Sequence, residues 1–167
     1  MNNDMADFLN ERLPHGVELM QITKSNVDWL WSNINKYDSL FSDFSERTLE
    51  GFIKRLLEYD NICFKIGETG YVFLEQIQPM RDCKFHGASF DRKLIGKESM
   101  AIAVIRLAFE VFQLQRMSAG IPSYARFANG FLKRIGFKQE GTLREYYRHK
   151  GEWYDYHLFG ILKKEVP

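Results

Sequence analysis

The sequence predicts a mixed α/β domain, α+β in its order of elements, built on a central mixed but mostly antiparallel sheet flanked by helices. Three observations predict it. Between residues 61 and 91 apolar residues alternate in three short runs, separated by Gly67-Glu68-Thr69-Gly70 and by Pro79-Met80, which is the pattern of an antiparallel meander. Over 98–113, Ile102, Ile105, Leu107, Phe109 and Phe112 make an apolar surface broad enough for a helix buried under a sheet. From 117 to 162 a strand, a helix and a hairpin follow, and a strand-helix-strand unit joined to antiparallel runs requires a mixed sheet.

In order, residues 1–14 are polar and are expected to form a flexible N-terminal segment of one domain spanning 1–167. A strand is expected over 17–22. Ser25, with Asp28 three residues later, reads as the N-cap and reciprocal acid of a helix over 27–35. Ser45 opens a second helical stretch in which Leu49, Phe52, Ile53, Leu56 and Leu57 form one apolar face, leaving Lys54, Arg55 and Glu58 toward water. Strands over 62–66, 71–78 and 82–91 lead to the helix over 98–113. A strand over 117–121 is closed by Pro122, and a helix over 125–135 stops at Gly136. The last two strands, 137–148 and 153–162, are joined by Lys150-Gly151, which suits a hairpin turn. No repeat, linker or low-complexity segment interrupts this order.

Composition bounds the function. With 45% hydrophobic and 27% charged residues the chain of 167 has the make-up of a globular protein, and one of this size buries roughly 70% of its unfolded surface. The net charge of +1 gives no field to favour nucleic acid or an acidic membrane as main partner. Cys63 and Cys83 lack a C-x-x-C spacing and read as buried apolar residues. The histidines have no ligand spacing, so no metal is expected, and no G-x-S-x-G marks a serine nucleophile. Residues 1–12 lack a basic start and apolar core, and no run approaches the ~20 apolar residues of a membrane span, which points to a cytoplasmic protein.

The segment 125–144 is the most specific. Gly136 permits a left-handed stop, Phe137 returns to the core and, after Glu140, Gly141 breaks or bulges a strand. With Gly151-Glu152-Trp153-Tyr154-Asp155-Tyr156 and Gly160-Ile161-Leu162, it resembles the C-terminal signature of the GNAT acyl-CoA N-acyltransferases, closest to the branch that acetylates ribosomal-protein N-termini and polyamines. The resemblance implies a GNAT fold, acetyl-CoA as cosubstrate and an amine acceptor, either a protein N-terminus or a small molecule. It also implies that acyl-CoA lies between two splayed strands, its pyrophosphate held by backbone N–H groups of a turn opening the long helix. The matching residues are Arg92, Lys93, Leu94, Ile95, Gly96 and Lys97, followed by Glu98 and Ser99. Lys93 and Gly96 keep the motif, Arg92 and Lys97 add charge, and Glu98 would crowd a phosphate unless turned toward solvent or a cation.

On the helix before Gly136 the family carries an Asn and a Ser for the pantetheine arm and a Tyr that protonates the leaving thiolate. Here those positions are Ala125, Ala128 and Leu132. Asn129 and Tyr124 are the nearest polar replacements, although Asn129 is rotated by ~100° from Ala128. A second reading is a catalytically inactive GNAT-fold binding or structural protein, for example a component of a viral or phage particle.

Acetyl transfer needs a base for the amine and donors for the thioester oxygen. The candidates for the base are His86, Glu75 and Asp91, His86 having the best intrinsic pKa. Alternation places His86 with Lys84, Ala88 and Phe90, and Asp91 on the other face unless a bulge intervenes. Gly87 would permit such a bulge and expose a backbone N–H. The residues from Arg144 to Tyr156, rich in aromatics and charge, suit an acceptor pocket, a contact with a protein partner or a second copy, or a solvated hairpin with one buried face.

Overall fold

In a computed structural model that describes residues 3–58, 61–91 and 97–167, seven strands form one sheet. They are β1 (Val17–Leu19), β2 (Ile62–Ile66), β3 (Gly70–Gln78), β4 (Asp82–Ser89), β5 (Arg116–Pro122), β6 (Lys138–His149) and β7 (Glu152–Leu162). Their spatial order is β1-β2-β3-β4-β5-β7-β6. Every neighbouring pair is antiparallel except β4 and β5, which are parallel because the helix α4 (Glu98–Val111) carries the chain between them. The sheet is thus mixed and mostly antiparallel, as the sequence predicts.

Each face of the sheet carries its own core. On one, α4 and α5 (Arg126–Arg134) cover Val72, Leu74, Phe85, Met117, Phe159 and Ile161. On the other, α2 (Lys24–Ile34) and α3 (Leu49–Leu57) cover Phe73 and Cys63 with Val27, Leu30 and Leu56. Because β3 lies between both layers, Val72, Phe73 and Leu74 are all buried, and each such side chain contributes roughly 1.5–3 kcal/mol. Cys63 and Cys83 are free and buried, and burial pushes both thiols up to about 12. Among the described residues no helix is long and apolar enough to cross a membrane.

Several local expectations change. Asn3–Asn10 form a helix, α1, where a flexible segment was expected; Leu9 is buried against the sheet, and Asn10 Oδ1 accepts the backbone N–H of Leu19 at 2.9 Å. Strand β1 ends at Leu19, and α2 is capped by Thr23, not Ser25: Thr23 Oγ1 accepts from the N–H of Asn26, while Asp28 pairs with Lys24 at 2.5 Å. Helix α3 starts after Thr48, whose hydroxyl accepts from Gly51, because Ser45 is occupied by a hydrogen bond from the N–H of Ser42.

The C-terminal motif folds as read. Gly136 has φ +100 and ends α5, and Phe137 packs into the core. The β6/β7 register shifts between Gln139 and Gly141, so the Glu-Gly pair is a bulge. Lys150 and Gly151 both have positive φ, the form a two-residue hairpin turn demands. No bulge occurs at Gly87, however: the β3/β4 register is unbroken from Gly70↔Ser89 to Glu75↔Lys84, and the irregularity falls after Glu75, where Gln76 has φ 51.

Candidate active site

Strands β4 and β5 are paired only at Asp82↔Arg116, Cys83↔Met117 and Lys84↔Ser118. Beyond that point β4 stays with β3 as far as Ser89, and β5 stays with β7 as far as Pro122. The two strands part because each follows its antiparallel partner. Their facing edges then hold backbone N–H and C=O groups with no strand to pair with. This gap opens into a cleft of about 1510 Å³, larger than the ~300–1,000 Å³ of a small-molecule pocket and roomy enough for two reactants. Lys97 and Ala101 of the α4 end line it, as do Ala125 and Ala128 of the α5 end; Trp31 and Phe52 line the side of α2 and α3.

The β4 flank carries charge. Alternation directs Lys84, His86 and Ala88 to the α2/α3 face, opposite buried Cys83 and Phe85. Register places Phe73 opposite His86 and Glu75 opposite Lys84, so Glu75 and His86 are diagonal neighbours. Their side chains meet, His86 Nε2 lying 2.6 Å from Glu75 Oε2. Arg55 Nε donates to the other carboxylate oxygen, and its guanidinium lies 5.5 Å from the ring centre of Phe73. Arg55 was expected to face water. It is half exposed, as expected, yet its guanidinium also reaches Glu75, the one buried charged residue among those described, which requires a counter-ion there. Burial alone would raise the Glu75 carboxyl, but the hydrogen bonds from His86 and Arg55 outweigh it and hold the group at about 2. An ionised Glu75 accepts the Nε2 proton of His86 and so leaves the lone pair on Nδ1. His86 lines the cleft with about a third of its side chain exposed, and Nδ1 hydrogen-bonds to no described residue.

The opposite flank is aromatic. Tyr156 on β7 is paired with Pro122 of β5 on one side and Leu143 of β6 on the other. Its ring is parallel to Tyr147 at 5.8 Å and tilted against Tyr146 at 5.4 Å. Tyr124, between β5 and α5, stacks on His149 at 5.2 Å, and its hydroxyl donates to the Ser39 carbonyl at 2.9 Å. That bond belongs to a strap between α2 and α3. Asp43 accepts the N–H groups of Lys150 and Gly151, and a His149 ring nitrogen lies 3.0 Å from the Phe41 carbonyl, so the strap ties the α2/α3 layer to the β6/β7 turn.

Arg92, Lys93, Leu94, Ile95 and Gly96 fall outside the described residues. Lys97 Nζ donates to Thr69 Oγ1, Ser89 Oγ and Asp91 Oδ1, all within 2.8 Å, so it fastens the end of β4 to the start of α4, and Asp91 is bound into that knot, away from His86. Glu98 turns to Arg134 of α5 at 2.9 Å, the outcome in which it does not crowd an anion. Ser99 is exposed in the first turn of α4 and does not line the cleft. Asn129 also points away: its amide donates to the carbonyls of Pro122 and Ala125, and its oxygen lies 2.8 Å from His157 Nδ1, bracing the β5–α5 corner. His86 thus meets Glu75, Tyr124 stands on the far flank, and Asp91, Ser99 and Asn129 do not line the cleft. Tyr156 was expected only as one of the aromatic residues of an acceptor pocket or contact, and Arg55 only as a solvent-facing side chain; the register across strands discloses where each stands.

The comparisons agree with this architecture. A family model described as an acetyltransferase (GNAT) domain matches residues 31–158. Among solved structures, a spermidine N-acetyltransferase from Vibrio cholerae in complex with CoA and spermine superposes with TM-score 0.74 at 17% identity, covering 91% of this chain and 98% of that one. A ribosomal-protein-S5-alanine acetyltransferase from Vibrio fischeri gives 0.70 at 17% identity, covering 92% and 97%. A GNAT-family acetyltransferase from Bacillus anthracis gives 0.71 at 16%, covering 90% and 97%. At these identities the likeness is one of fold. No curated protein sequence matches.

Proposed function

This chain belongs to the GNAT acetyltransferase family, and from that premise we propose that it transfers the acetyl group of acetyl-CoA to an amine, with His86 as the base. The observation that carries the proposal is the parting of β4 and β5 after Lys84 and Ser118, with His86 beside the opening and backed by a buried, ionised Glu75.

The residues present fit an acyl-CoA. Gly87, Ala88, Ala125 and Ala128 all line the cleft, so its walls at the gap are low enough for a slender thioester arm. Bound there, acetyl-CoA supplies an activated acetyl group. Unpaired N–H groups on the β4 edge are placed to donate to a carbonyl oxygen as it gains charge. His86 Nδ1 takes one proton from the attacking nitrogen, and Glu75 holds the ring and stabilises the imidazolium that results. Arg55 keeps Glu75 ionised and oriented, acting through it. A cytoplasmic setting suits two unpaired thiols.

The acceptor enters from the α2/α3 side, past Trp31, Phe41, Phe52 and Tyr147, whose ring faces suit a cationic amine. A polyamine and a protein N-terminus both meet that description. The test is release of free thiol from acetyl-CoA, measured with spermine, spermidine and a peptide beginning with alanine. Turnover with at least one of them is expected, falling ~10²-fold or more in His86→Ala. Absence of turnover with all three, or unchanged turnover in His86→Ala, would overturn the assignment or the base respectively.

A further inference from the structure

His86 serves as a base, but the departing sulfur still needs a proton, and the family position for its donor holds Leu132, a buried core residue. Resting on the acetyl-transfer reading, we propose that Tyr156 is the catalytic acid: its phenol gives a proton to the leaving sulfur from the β5/β7 flank, across the gap from His86.

Four observations lead there. First, the sheet alternation that buries Met117, Ala119, Phe159 and Ile161 under α4 and α5 puts Ser118, Gly120, Tyr156 and Leu158 on the opposite face, the face of His86 and Glu75. Second, the Tyr156 ring lies directly over Gly120. A Cβ built at Gly120 would stand 2.3 Å from Tyr156 Cε1 and 2.5 Å from its Cζ and hydroxyl oxygen, far inside van der Waals contact. Only glycine lets the phenol settle onto β5 at the place where β5 has left β4, and Gly120 and Tyr156 both line the cleft. Third, the hydroxyl is uncommitted: Tyr124 spends its proton on the Ser39 carbonyl, whereas Tyr156 hydrogen-bonds to no described residue. Fourth, burial and then the nearby Tyr146 and Glu75 raise the Tyr156 phenol, so it stays protonated at neutral pH.

The proton balance closes. As the C–N bond forms and the C–S bond breaks, His86 removes one proton from nitrogen and Tyr156 delivers one to sulfur. The products are an amide and a neutral thiol, and the proton on His86 returns to the phenolate through water in the cleft. Acid and base thus stand on separate walls, each with a single task.

The test compares Tyr156→Phe with the unaltered protein on two acetyl thioesters, acetyl-CoA and the acetyl ester of an aryl thiol, whose anion leaves without help. The variant is expected to lose ~10²-fold or more in kcat with acetyl-CoA and little with the aryl ester. Gly120→Ala, which displaces the ring, is expected to reproduce that pattern. Equal activity on both esters, or an equal loss on both, would overturn Tyr156 as the acid and leave the transferase reading intact. An unaltered protein inactive on both esters with every amine tested would instead overturn the transferase reading, and this proposal with it.

Discussion

The two flanks of the β4/β5 gap are built by different physics. On the β4 flank a buried carboxylate is satisfied twice, by Arg55 and by His86, and the three side chains come from α3, β3 and β4. On the β5/β7 flank the phenols of Tyr124, Tyr147 and Tyr156 pack by their rings, and position comes from shape: a glycine beneath one ring, parallel stacking beside it. The first flank is held by charge and responds to pH. The second is held by packing and responds to volume. A site so divided can keep an imidazole and a protonated phenol in one cleft, because burial, with Tyr146 and the ionised Glu75 nearby, favours the proton on Tyr156 while only His86 touches Glu75 directly.

The largest effect that would break this contrast is Glu75→Gln. It removes the charge that Arg55 and His86 meet; because Arg55 is half exposed and water can solvate it, the cost is that of the charged hydrogen bonds, roughly 1.5–3 kcal/mol of stability, measured by denaturant unfolding. The pH dependence has a definite sign. The Glu75 carboxyl lies at about 2 in the folded chain against an ordinary 4.5, so its contribution is complete above pH 4.5 and is lost as the pH falls toward 2. The gap between native and Glu75→Gln stability should therefore narrow across that window. A gap that widens there would mean that Glu75 is not held ionised by its partners.

A smaller effect sharpens the other side. Asn129→Ala removes the brace at the β5–α5 corner and should cost roughly 1–2 kcal/mol, with acetyl-CoA affinity changed less than twofold. A large loss of affinity with no loss of stability would show that this amide faces the cofactor after all.

How much of this was legible in the sequence follows from what each feature depends on. Strand order, the long buried helix, the Gly136 stop, the Glu140-Gly141 bulge and the Lys150-Gly151 turn are local, and local pattern predicts them. Helix α1 was missed because its eight residues carry a single strong anchor, Leu9, amid polar ones. Thr23 was missed because Ser25, also a capping residue, lies two positions on with Asp28 at capping-box spacing, and only backbone geometry decides where the helix starts. At the site, His86 and Glu75 were each foreseen, but their contact depends on the register Phe73↔His86 between two strands. Arg55 sits next to Leu56 at the edge of an apolar stripe, and nothing in that stripe signals a buried acid on β3. Tyr156 depends on Gly120, which precedes it by a whole helix and a strand.

The central claim is that the opening between β4 and β5 is where acetyl-CoA binds. A thermal unfolding titration with acetyl-CoA tests it most directly, since a ligand at about 100 times its dissociation constant adds ~2.7 kcal/mol to stability. A concentration-dependent rise is expected that is retained in His86→Ala, whose side chain serves the amine, and is lost in Ala128→Trp, which fills the gap from the α5 side. No rise at millimolar acetyl-CoA, or a rise unaffected by filling the gap, would contradict it.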